Sequence, residues 1–119
     1  MKEYKEWIEY AEKDLEGAKH SISGGYLEIG AFLLQQSAEK ALKAVLIKEQ
    51  KKLVKTHNLL NLSKDINAPE NIQNFCNELN PAYMFSRYPD TEGKLNLKED
   101  INNLIKHAEE ILEWVKKKL

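Results

Sequence analysis

Leu97-Lys98-Glu99-Asp100-Ile101-Asn102-Asn103-Leu104 opens the stretch whose pattern decides the fold. Followed to Leu119, its apolar positions are Leu97, Ile101, Leu104, Ala108, Ile111, Val115 and Leu119, at 4-3-4-3-4-4 spacing. Steps of three and four residues place these side chains along one side of an α-helix, with Lys, Glu and Asn on the other. Asn96 and Glu99 have the spacing of a capping box at the start of this helix. Lys116, Lys117 and Lys118 complement its C-terminal dipole.

The same period runs backward through the chain. Tyr4, Trp7, Ile8, Ala11, Leu15, Ala18 and Ile22 mark an amphipathic first helix that Gly24-Gly25 should end in a left-handed turn. From about Leu27 to Lys51 a second helix carries Ala31, Leu34, Ala38, Ala41, Leu42 and Val45 on a wide face, with Phe32, Leu33, Ala44 and Ile47 on other sides. A helix apolar on several sides should sit at the centre and touch several neighbours. A short helix is expected from an N-cap at Thr56 to about Lys64. Another should have Pro69 at its first position and run through Ile72, Phe75, Cys76 and Leu79. No segment alternates as a strand would. The pattern predicts an all-α fold: an antiparallel up-and-down bundle of four main helices plus a short extra one, with residues 1–119 forming one domain.

Composition removes several function classes. The 119 residues carry 18 basic and 19 acidic groups, so binding nucleic acid through bulk charge is not expected. Of the basic residues only Arg87 is an arginine. The single cysteine, Cys76, has no internal disulfide partner and is expected to be buried and inert. His20, His57 and His107 show neither H-x-x-x-H nor E-x-x-H spacing, so no metal is expected. The glycines form no phosphate-cradling loop, and no cofactor is expected. Acidic residues interleave the first seven positions, which does not resemble a signal peptide, and no apolar run is long enough to span a bilayer. A cytoplasmic protein is expected, with no membrane association.

Three polar features could carry function. On the second helix Gln36, Glu39, Lys40 and Lys43 share an arc of about 100°. They are either i,i+4 pairs on a solvated face or the polar wall of a groove in which Lys40 and Lys43 meet phosphate. Lys48, Lys51, Lys52 and Lys55 form a basic run ahead of Thr56-His57. This run either complements the helix end or attracts phosphates. The third is Arg87-Tyr88-Pro89-Asp90, in a long irregular stretch expected from Pro81 to Leu95 that also holds Tyr83 and Phe85. Arg87 offers a fork that fits phosphate or carboxylate, and Tyr88 a ring able to stack on a base. Alternatively Arg87 locks the stretch by pairing with Asp90 or Glu39.

Taken in order, these pieces resemble the HEPN family of small helical domains. The resemblance rests on Ala11-Glu12-Lys13-Asp14-Leu15, on Gln35-Gln36-Ser37-Ala38-Glu39-Lys40-Ala41-Leu42-Lys43-Ala44, on Thr56-His57-Asn58-Leu59, and on Arg87-Tyr88-Pro89-Asp90. It spans nearly the whole chain. It implies an up-and-down bundle that dimerises through helix faces, and in prokaryotes a minimal nucleotidyltransferase as partner in a toxin–antitoxin system. Many members of the family are metal-independent ribonucleases with an R-x(4–6)-H motif. Here no histidine follows Arg87 at that spacing; the next is His107, twenty residues on. The resemblance therefore implies an accessory protein that binds a nucleotide or RNA phosphate through Lys40, Lys43, Arg87 and Tyr88, with Gln36, Glu39 and Asp90 in support. The alternatives are a ribonuclease using Arg87 with His57 as a substitute base, and a purely structural dimerisation module.

Overall fold

A computed structural model describes residues 3–81 and 91–119. Five helices account for most of them: α1 (Tyr4–Ser23), α2 (Leu27–Gln50), α3 (Leu59–Asp65), α4 (Glu70–Leu79) and α5 (Thr91–Lys118). No strand occurs among the described residues, as the helical periods predict.

α1 stops where its glycines allow it to. The Gly25 N–H donates to the Ile22 carbonyl and the Tyr26 N–H to the Ser21 carbonyl. Gly25 takes φ +90°, a region glycine enters without a Cβ penalty. The chain then reverses directly into α2. Small residues line the seam between these helices: Gly30 lies against Ala18 and Ser37 against Ala11, all four buried. The Ser37 hydroxyl donates to the Ala11 carbonyl at 2.7 Å. A Cβ on Gly30 would collide with Ile22 Cγ1 and lie 3.1 Å from the Ala18 carbonyl oxygen.

α2 contacts each of the four other helices among the described residues. Every residue from Ala41 to Ile47 is buried, which fits its many-sided apolar pattern. The α5 stripe of Leu97, Ile101, Leu104, Ala108, Ile111 and Val115 packs into the same core. Each fully buried leucine or isoleucine there contributes about 1.5–3 kcal/mol of transfer free energy.

Element ends differ from the sequence reading in three places. α3 begins at Leu59 with Asn58 as its N-cap, the Asn58 side chain accepting from the Asn61 N–H. Thr56 instead accepts from the Asn58 N–H, a local turn that forms before the helix starts. Pro69 is the cap of α4 rather than its first residue, and its carbonyl accepts from the Gln73 N–H. α5 starts at Thr91, so Asn96 lies inside a helix and not at its start. The poorest helix former in those added residues, Gly93, costs only about 1 kcal/mol, too little to stop an established helix.

Candidate functional site

The polar residues of α2 divide between two neighbours. Successive helical positions are rotated by about 100°, so Glu39 and Lys40 point different ways. The Lys40 ammonium pairs with the Asp14 carboxylate of α1, both partly buried. Gln36, one turn earlier, is partly buried. Glu39 and Lys43 lie inside the protein, each 7% exposed. Lys43 Nζ donates to Glu39 Oε2 at 2.9 Å.

The other Glu39 oxygen reaches the chain that follows α2. Oε1 lies 2.7 Å from Nδ1 of His57, whose side chain is 76% exposed. Glu39 therefore bridges a buried ammonium and a solvent-facing imidazole. An ionised carboxylate only accepts hydrogen bonds, so Nδ1 carries the hydrogen in this contact. Nε2 is then the ring nitrogen available to a ligand.

The backbone next to His57 is held firmly. The buried Asn80, at the end of α4, accepts from the Leu59 N–H through Oδ1, and its Nδ2 donates to Asn58 Oδ1 at 3.0 Å. Residues 51–58 form no helix, and Lys51, Lys52 and Lys55 are exposed there. Lys48 is engaged differently, donating to the Leu119 carbonyl and lying over the Tyr4 ring.

Chemistry elsewhere is muted. Cys76 is buried, and burial pushes its thiol up to about 12, with a hydrogen bond from Ser63 pulling the other way. Such a thiol stays protonated and inert, as its surroundings in the sequence suggest. His107 stacks on Phe75, ring centroids 4.7 Å apart and planes 15° from parallel. Burial lowers its pKa from the ordinary value, and the Glu78 carboxylate opposes that shift. No cluster of three or more metal-ligating side chains occurs among the described residues.

The structure thus brings Glu39, Lys43 and His57 into one constellation and sends Lys40 to Asp14. Arg87, Tyr88 and Asp90, with Tyr83 and Phe85, lie outside the described residues. Sequence reasoning takes Glu39 as support and His57 as a candidate base, and does not join them. They lie 18 residues apart across a loop, and no helical period links such positions.

An all-α bundle around one central helix, with five helices among the described residues and this polar cluster where the central helix meets the following loop, defines a class of small domain. The HEPN domain model matches residues 4–118, and the chain belongs to that family. It is similar to an archaeal HEPN homologue, ST0689, at 37% identity, with a TM-score of 0.81 over 99% of this chain and 98% of that one. It also resembles TT1696 from Thermus thermophilus, at 26% identity and a TM-score of 0.83 over 100% of both chains. No curated protein matches it significantly. No helix among the described residues is long and apolar enough to cross a membrane.

Proposed function

We propose that this HEPN-domain protein binds the phosphate of a nucleotide or of RNA on the face where His57 stands. In this reading it is the non-catalytic partner of a minimal nucleotidyltransferase in a toxin–antitoxin-like pair, working as a homodimer in the cytoplasm. The observation that carries it is the His57 imidazole, anchored at Nδ1 by buried Glu39 while most of the ring faces solvent. Exposed Lys51, Lys52 and Lys55 supply positive charge within a few residues of it. Arg87 and Tyr88 are proposed as further phosphate and base contacts. Lys40 could add to them only by exchanging Asp14 for the ligand, and Lys43 contributes through Glu39.

Calorimetric titration with ATP and with a uridine decamer tests this reading. Heat that is reduced in His57→Ala and Arg87→Ala and weakens as salt rises is the expected result. No heat at millimolar ligand would rule it out.

A second reading, metal-independent RNA cleavage, draws on the same contact, because a carboxylate that orients an imidazole is the arrangement of a general base. Cleavage of RNA in EDTA, abolished by both His57→Ala and Arg87→Ala, would establish it. RNA left intact by folded protein would exclude it. The homodimer is supported by Tyr26, Ile29 and Phe32, three large side chains at three-residue steps that are 64%, 56% and 50% exposed. Light scattering that showed a monomer at micromolar concentration would refute it.

A further inference from the structure

Burying an ion pair is a poor way to stabilise a bundle. The desolvation of two charges offsets most of their attraction, and well-packed apolar replacements of such pairs are often as stable or more so. Glu39 and Lys43 are nevertheless both buried within the most tightly enclosed stretch of α2. Among the described residues, what the pair delivers to the surface is the contact from Glu39 Oε1 to His57 Nδ1. Lys43 occupies Oε2 and so fixes the rotation of the carboxylate, leaving Oε1 turned toward the ring. His57 itself gains little from burial, since three-quarters of its side chain is in water. A second anchor, the hydrogen bonds from Asn80 to the chain on the C-terminal side of His57, removes the freedom that would let the ring drift off the carboxylate.

We infer that Glu39 and Lys43 are positioning residues for His57, holding the neutral imidazole in its Nδ1–H form so that Nε2 is presented to a ribonucleotide. In the neutral ring Nε2 accepts a hydrogen bond, as from a 2′-hydroxyl. In the protonated ring it donates one to a phosphate oxygen. The inference rests on the phosphate-binding reading for its ligand, but its first measurement needs none.

Nitrogen–proton correlation spectra of the ligand-free protein report which ring nitrogen carries the hydrogen. The wild type is expected to show the Nδ1–H form of His57. Glu39→Gln and the double variant Glu39→Met/Lys43→Met should lose that preference. The double variant should unfold at the same urea concentration as the wild type or a higher one, yet bind ATP and a uridine decamer about tenfold more weakly, the worth of one charged hydrogen bond. His57→Ala should bind equally weakly, and adding it to the double variant should cost nothing more. An Nε2–H form in the wild type would overturn the inference. So would a double variant that is markedly less stable, or one that binds as well as wild type while His57→Ala does not. Failure of the wild type to bind either ligand would overturn the phosphate reading alone, because the tautomer still decides whether the pair positions the ring.

Discussion

The two sides of α2 solve opposite problems. Toward α1 it offers Gly30 and Ser37, residues small enough for the backbones to approach closely. The buried Ser37 hydroxyl on that seam is satisfied by a main-chain carbonyl. Toward the His57 segment it buries a full ion pair. The α1 side is built for fit, with its one ion pair, Lys40–Asp14, only partly buried, whereas the other side buries its charges at a cost in desolvation. The difference teaches where stability and function separate along one helix: the seam should tolerate little change in volume, and the charged side little change in pairing.

Four experiments would break or sharpen that contrast. The largest effect should come from Glu39→Ala, which leaves Lys43 buried without its carboxylate. It should cost about 3–5 kcal/mol of unfolding free energy by urea titration. A loss under about 1 kcal/mol would mean that Lys43 escapes to water and that the charged side is not rigid. Next comes Gly30→Ala. Helix propensity alone favours alanine by about 1 kcal/mol. The added methyl, however, meets Ile22 and the Ala18 carbonyl, and overpacking costs about 1–3 kcal/mol. A net destabilisation, read as a lower thermal midpoint, is expected, and a rise would show that the seam can open. Lys40→Ala removes a partly exposed ion pair with Asp14 and should cost about 1 kcal/mol or less.

The smallest effect concerns the half-buried imidazole of His107. His107, stacked on Phe75, has its pKa lowered in the folded state by burial. The unfolded chain therefore takes up the proton first. The contribution of the neutral ring is fully present above its unfolded pKa of about 6.5 and is lost as pH falls below it. The loss in urea midpoint between about pH 7.5 and about pH 5.5, which brackets that value, should be smaller in His107→Gln than in the wild type. An identical loss would show that His107 is not the group responsible.

Much of the fold is legible in the sequence because helical burial is a local code. The α5 stripe and most of the many-sided face of α2 appear as spacings and are buried in the structure, while Phe32, which the same pattern includes, is half exposed. Helix ends are less legible, since Thr56 and Asn58 are both competent caps and only the tertiary setting chooses between them. The site is legible in its parts alone. Glu39 and His57 both stand out as residues, but their contact depends on the path of a loop, and the two asparagines that fix that path are 22 residues apart. No pattern of neighbours along the chain encodes such a meeting.

Those two asparagines have a further consequence. Because Asn58 and Asn80 touch, the excursion through α3 and α4 departs from and returns to a single point. It is a closed loop of chain packed into the core through Leu59, Leu62, Ile72 and Leu79, with its turn at exposed Asn67, which adopts φ 55°. Residues added at that turn would lengthen the loop without moving either its point of departure or its point of return. The tie thereby keeps the histidine that precedes α3 in register with the buried carboxylate whatever the length of that exposed turn.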